Sequence, residues 1–204
     1  TEYNEKGLVK AVEDSLGRRE VYAYDSLNRL TEVITPDNKS IKTAYDNNGN
    51  ATQIEVPFEK QHNYEYTPID LIKTYSAPLI DGVNSVTSYK YNLDSQIEEI
   101  NQSDEGLITY QYDDFGRVEV IDNGTNLVNL TYNNTSGQLS RIEKDDGLFL
   151  SYDYDGGLTL SEENNYGKVS FEYDNNLRVT KVKAKTSEIS YDFNDDDEVT
   201  TAGD

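Results

Sequence analysis

Ten aromatic residues recur along this 204-residue chain at a nearly constant interval: Tyr3, Tyr24, Tyr45, Tyr66, Tyr91, Tyr112, Tyr132, Tyr152, Tyr173 and Phe193. Successive steps are 20 or 21 residues, apart from one of 25 between Tyr66 and Tyr91. Such a period means that one supersecondary unit is copied end to end, with each copy burying its apolar face against its neighbours. A chain built this way makes a surface or a container more readily than a single chemical site.

With each aromatic taken as position zero, the commonest unit has an aromatic or aliphatic residue at minus two, Asp or Asn at plus one, Gly or Asn at plus four, and an aliphatic at plus six. Instances are YAYDSLNRL from Tyr22, YKYNLDSQI from Tyr89, YQYDDFGRV from Tyr110 and FEYDNNLRV from Phe171. Residues two apart on a strand share a face, so Tyr22 and Tyr24 point the same way. Asp followed three residues later by Gly or Asn is a turn signal, because Asp caps the local backbone and Gly or Asn accepts positive φ. A second strand follows, with aliphatics at plus six and plus nine, as in Leu30 with Val33 or Val118 with Ile121. That odd spacing does not fit flat alternation and predicts a bulge. Further turn signals, such as TPDNKS at 35–40 and KDDG at 144–147, return the chain to the next aromatic.

Each unit is thus read as a β-hairpin, and 1–204 as one array of about nine units with an irregular one at 66–90. A lone hairpin is marginal in water, so the units must extend a common sheet. Equal spacing is expected to place equivalent tyrosines side by side in ladders on neighbouring strands. The irregular unit replaces the usual turn with Thr67–Asp70, and its segment YSAPLIDG from Tyr75 is expected to form a longer loop showing Pro78, Leu79 and Ile80. At Tyr132 one extra residue enters the turn.

Composition agrees with a thin apolar layer. Hydrophobic residues make up 35% of the chain, below the roughly 45–50% of ordinary globular domains. The regular Tyr, Val, Ile and Leu positions answer the alternative of an acidic disordered chain. With no cysteine there is neither a disulfide framework nor a thiolate site. A net charge of −21 opposes binding to nucleic acid or to an anionic membrane surface. No apolar run approaches the roughly 18 residues of a membrane span, so no membrane insertion is expected. Beginning at Thr1 and lacking methionine, the sequence reads as an excised piece of something longer.

No catalytic, cofactor-binding or metal-binding residue is assigned, and the chain is read as non-enzymatic. Paired carboxylates could in principle serve glycoside hydrolysis, but most acidic residues occupy repeated turn positions. His62 is the only histidine and reads as a surface residue. Weak calcium binding stays open at Asp192, Asn194, Asp196 and Glu198, which alternate like early EF-hand ligands, although Asp197 holds the glycine position and Gly203 the glutamate position. Asp46, Asn48 and Asn50 offer a similar partial set. Tyrosine faces can stack on saccharides, so glycan or cell-wall polymer binding also stays open, although tryptophan is absent.

The segment YDSLNRLTEVITPDNKSIKTAYDNNGNATQIEVP, from Tyr24 to Pro57, resembles the YD repeat of the Rhs family nearly position by position. The pattern covers essentially the whole chain and decays at YDYDGGL from Tyr152 and in the acidic tail from Asp192. The resemblance implies an all-β fold of tandem hairpins in a continuous curved or spiral sheet, forming the wall of a hollow shell. Similar proteins are bacterial Rhs proteins, cocoon-forming subunits of insecticidal toxin complexes, wall-associated proteins of Gram-positive bacteria and animal teneurins. In toxin members the shell encloses a C-terminal effector, which an aspartyl autoprotease region releases. This sequence has no Asp-Pro dipeptide of the kind marking that region, so no autoprotease residue is carried over.

The resulting expectation is a structural shell segment of a bacterial secreted or surface protein, of the polymorphic-toxin type, that encloses a C-terminal toxin or effector. Its partners would be neighbouring repeats and the enclosed effector. The alternative is an adhesive surface module binding glycan or protein at the cell surface or cell wall. Exposed edge strands also predict self-association.

Overall fold

The computed structural model describes residues 1–80, 82 and 85–203; Asp81, Val83 and Asn84 of the irregular unit and Asp204 lie outside the described residues. Twenty strands account for almost all regular structure, and no helix occurs among the described residues. Two compact units divide the chain, Thr1–Leu107 and Ile108–Asp204.

The first unit is an antiparallel meander of ten strands. They are β1 (Glu2–Tyr3), β2 (Val9–Glu13), β3 (Arg19–Tyr24), β4 (Leu30–Ile34), β5 (Ser40–Tyr45), β6 (Ala51–Val56), β7 (Lys60–Tyr66), β8 (Ile72–Ser76), β9 (Val86–Tyr91) and β10 (Ile97–Gln102). Each pairs with the next in sequence.

The second unit repeats the plan. It runs through β11 (Gly106–Tyr112), which begins at the unit boundary, β12 (Val118–Asp122), β13 (Leu127–Tyr132), β14 (Leu139–Lys144), β15 (Phe149–Asp155), β16 (Leu158–Asn164), β17 (Gly167–Tyr173), β18 (Val179–Ala184), β19 (Ser187–Phe193) and β20 (Val199–Gly203). Here too every strand pairs with its successor.

The expected bulge is present and explains the plus-six, plus-nine spacing. Tyr24 faces Leu30, whereas Ala23 faces Glu32, so Thr31 is extra in β4. The slip brings Val33 opposite Tyr22. Both aliphatics therefore join both tyrosines on one face, although three residues apart in sequence. Tyr112 with Val118 and Tyr110 with Ile121 repeat the arrangement, as do Tyr173 with Val179 and Phe171 with Val182.

The tyrosine face continues through the linking turns, with Val33 facing Ile41 and Val182 facing Ile189. Charged pairs occupy the opposite face, among them Lys42–Glu55 and Lys90–Glu99.

Burial in this sheet is slight. Among the described residues only Ala11, at 1% exposure, and Ser161, at 4%, are buried. Each unit contributes one sheet layer, so apolar side chains can be covered only by lateral neighbours, which leaves them half-exposed. The low hydrophobic content has its structural meaning here: no second layer has to be filled.

The 25-residue step does not distort the tyrosine turn. Thr67 N–H donates to the Leu71 carbonyl at 2.7 Å and Asp70 N–H to the Thr67 carbonyl at 3.0 Å, while Asp70 takes the positive φ of 62°. The extra length lies between β8 and β9, where Ala77 N–H donates to the Ser85 carbonyl at 2.9 Å. Leu79 and Ile80 are exposed there, as expected, while Pro78 is half-buried. The added residue after Tyr132 widens its turn, which closes from Gly137 N–H to the Asn133 carbonyl at 2.8 Å.

Most turns give their left-handed position to Gly or Asn, but Leu177 holds φ 65° with its side chain exposed. Leucine pays about 1–2 kcal/mol in that region, and here it returns little by packing. Leu177→Gly is therefore expected to raise stability by up to about 1 kcal/mol after the unfolded-state entropy of glycine is counted, read as a higher denaturation midpoint at unchanged m-value.

Candidate functional site

The hairpins are joined by a repeated clasp made from the aromatic anchor, the turn carboxylate and the residue at plus five. The anchor hydroxyl reaches the adjacent strand of the preceding hairpin. Tyr24 Oη donates to the Val9 carbonyl at 2.9 Å, Tyr45 to Leu30 at 2.8 Å, Tyr66 to Ala51 at 2.9 Å and Tyr91 to Ile72 at 2.7 Å. In the second unit Tyr132 reaches Val118 at 2.8 Å and Tyr173 reaches Thr159 at 2.8 Å. The accepting carbonyl belongs to the residue opposite the previous anchor, beside its bulge.

This corrects the expected ladder of paired aromatics. One period spans two strands, so equivalent anchors stand about 9–10 Å apart, beyond direct side-by-side stacking. Aliphatic residues lie between them, and the hydroxyl bridges the gap. Direct ring contacts are local, as between Tyr64 and Tyr75 with centroids 5.1 Å apart. Burial pushes the phenols of Tyr66, Tyr91 and Tyr154 up, which keeps them protonated as donors.

The decayed repeat also changes its anchor. Tyr154, not Tyr152, makes the bond, donating to the Leu139 carbonyl at 2.9 Å. The bulge falls between Asp153 and Tyr154, and Asp155 pairs with Leu158 across the tight Gly156–Gly157 turn. Shortening the turn by that amount moves the equivalent position two residues along, a shift that preserves the face.

Each turn carboxylate caps its own loop. Asp25 Oδ1 accepts from the N–H groups of Leu27 and Arg29, both at 2.9 Å. Its Oδ2 accepts from Arg29 Nε at 2.7 Å. Arg29 then lays its guanidinium over the next anchor, Tyr45, at 4.6 Å, and donates to the Asp46 carbonyl of the next turn at 2.8 Å. Arg117 repeats this over Tyr132 at 4.3 Å and reaches the Gly137 carbonyl at 3.1 Å. Arg178 lies over Phe193 at 4.4 Å and pairs with Asp197.

The role of this plus-five position does not show within a single turn. Its signal was visible as the arginines of YDSLNRL, YDDFGRV and YDNNLRV. What lay out of reach was their partner one repeat further on.

The calcium candidates are drawn into the same architecture. Asp46 Oδ1 accepts from the N–H groups of Asn48 and Asn50, both at 2.9 Å, and Asp70 Oδ1 accepts from the two asparagine amides at 2.8 and 2.7 Å. Asn194 Oδ1 accepts from Asp196 and Glu198 at 3.0 and 2.9 Å. No group of three or more Asp, Glu or His side chains stands arranged for a metal among the described residues. His62 does not stand free on the surface: it is half-buried, with Nδ1 2.8 Å from Tyr75 Oη and its ring stacked on Tyr75.

A family model described as Teneurin YD-shell matches residues 1–199, the whole run of tyrosine-anchored hairpins. The chain belongs to the teneurin YD-shell family. As a YD-shell chain it is a structural wall segment, and the earlier resemblance to YD repeats holds.

Solved structures share the fold. The TcdB2-TccC3-TEV crystal structure matches with a TM-score of 0.74 at 15% identity, covering 99% of this chain and 13% of that one. TcdB2-TccC3 without its hypervariable C-terminal region gives 0.76 at 14% identity, covering 98% and 12%. A mutant Tc holotoxin pore of Photorhabdus luminescens gives 0.55 at 13% identity, covering 97% and 13%. The YD-shell chain thus spans about an eighth of the length of these chains. No curated protein matches it in sequence.

The clasp makes two predictions. Tyr45→Phe removes one bridging bond and should cost about 1 kcal/mol, whereas Phe193→Tyr should gain a similar amount by restoring the missing donor toward Val179. Chemical denaturation of both variants decides the matter: equal and opposite shifts are expected.

The second prediction concerns acid. The Arg29 N–H and then its guanidinium hold the Asp25 carboxyl below its usual 3.8. Asp174 is lowered the same way by Arg178, and Asp113 first by the Arg117 guanidinium. Their stabilisation is full above the unfolded value and is lost as pH falls through the depressed folded values, because the unfolded chain takes up protons first. The combined Asp25→Asn, Asp113→Asn and Asp174→Asn chain should lose less stability than the parent on acidification, as followed by circular dichroism.

Proposed function

We propose that this chain is wall in a secreted or surface-exposed bacterial YD-shell protein, and that the wall encloses a C-terminal toxin or effector of the same polypeptide. The observation carrying this reading is the clasp, whose anchor hydroxyl ties one hairpin to the preceding one at Tyr24, Tyr45, Tyr66, Tyr91, Tyr132, Tyr154 and Tyr173. Tyrosines, turn carboxylates and plus-five arginines all serve that continuity, so the role is mechanical and non-enzymatic. The period runs through residues 107 and 108 without a change of step, and on that ground we take 1–204 as one array. A structural neighbour described without its hypervariable C-terminal region supports a segment following such repeats.

An adhesive role is the second reading. It draws on the half-exposed cluster of His62, Tyr64 and Tyr75, where stacked rings and a hydroxyl offer a surface for a sugar.

Limited proteolysis of the intact parent protein separates the two. Protection of the region C-terminal to the repeats until the wall is unfolded is the expected outcome. Cleavage there at the rate of the same region expressed alone would overturn enclosure, and saturable glycan binding lost in Tyr75→Ala would then favour adhesion.

A further inference from the structure

The link between β12 and β13 carries a reactive arrangement that the wall does not need. The described residues contain two Asn-Gly dipeptides, Asn48–Gly49 and Asn123–Gly124. In such a pair the glycine nitrogen can attack the asparagine side-chain amide, because no β-carbon shields it. The surroundings of the two pairs differ.

At the second pair, Asn123 Oδ1 accepts four hydrogen bonds: from Thr125 N at 3.1 Å, Thr125 Oγ1 at 2.9 Å, Asn126 N at 2.8 Å and, at the longest reach, Asn126 Nδ2 at 3.5 Å. These donors surround the oxygen on which negative charge develops when Cγ is attacked, the arrangement of an oxyanion hole. The attacking nitrogen faces a base, since Gly124 N–H donates to Asp122 Oδ1 at 2.7 Å. Gly124 has φ 79° and open space where a β-carbon would stand. Asn123 is exposed, so water can enter and ammonia leave.

Asn48 has a different setting. Its Nδ2 is tied to Asp70 at 2.8 Å, and Gly49 N–H donates to the main-chain carbonyl of Asp46 at 3.3 Å, not to a carboxylate.

We propose that Asn123–Gly124 is a self-modifying site that converts to aspartate and isoaspartate without an enzyme. Gly124 N bonds to Asn123 Cγ while its proton passes to Asp122. The Cγ–Nδ2 bond breaks, and the departing NH2 group takes up one proton, replacing the one passed to Asp122, to leave as ammonia, which closes a succinimide. Water then opens either carbon–nitrogen bond of the ring. One opening leaves aspartate; the other leaves isoaspartate, which puts an extra methylene in the main chain between the paired residues Asp122 and Leu127. Both add a carboxylate beside Asp122, so the β12–β13 link loosens with age.

The test is incubation of the folded chain at mildly alkaline pH in oxygen-18 water, followed by peptide mapping. Label and isoaspartate should appear at residue 123 about tenfold faster than at residue 48, and Asp122→Asn should slow residue 123 by a similar factor, a modest general-base effect. In urea the two sites should converge. If Asp122→Asn disturbs the fold by circular dichroism, Thr125→Val takes its place, and slower conversion is again expected. Equal rates at the two sites in the folded chain, or unchanged rates in the folded variants, would overturn the proposal.

Discussion

A single sheet layer has no interior, and everything else in this protein answers to that constraint. A sandwich or barrel covers its apolar face with a second layer; here each strand can be covered only by the strands beside it. Stability must therefore be gathered sideways, repeat by repeat. The tyrosine suits the task because its ring shields the neighbouring aliphatic and its hydroxyl reaches a carbonyl on the adjacent strand of the preceding hairpin. Leucine would supply the first without the second. At Phe193 the ring stays under Arg178, but the hydroxyl bond is absent from the chemistry of the side chain.

The bulge and the clasp depend on one another. Without the extra residue in each second strand, Leu30 and Val33 would fall on opposite faces, and one aliphatic per repeat would be lost from the tyrosine side. With it, the pairing beside the turn slips, and the carbonyl next to the bulge becomes the target of the next anchor. The turn carboxylate and the plus-five arginine then hold the hairpin end at the spacing that the anchor hydroxyl requires. These half-buried ion pairs are each shared between a loop, a ring and the following turn. Such sharing suits a wall better than a catalytic pocket, where charged groups would be left facing a substrate.

Much of this was legible beforehand. The hairpin, the two turn types and the bulge follow from strand periodicity and turn chemistry within one repeat, and nine recurrences made the YD-shell assignment specific. Arg29, Tyr154 and the ladder were harder for a common reason. Arg29 acts on Tyr45 and Asp46, residues 16 and 17 positions later in sequence. Tyr154 took over from Tyr152 because a shorter turn moved the register, which the mean period conceals. Equal spacing suggested touching tyrosines, but spacing along the chain does not say that a strand lies between them.

By itself the sequence determined the local elements: where strands alternate, where Asp and Gly turn the chain, where an odd aliphatic spacing forces a bulge, and that cysteine and thick-core chemistry are absent. These follow from backbone sterics and side-chain type over a few residues. Only the tertiary structure decided which carbonyl each tyrosine seeks, which turn each arginine joins, and that Asn123 lies within a ring of donors beside a base. Those depend on distances between repeats, set by the pairing of whole strands.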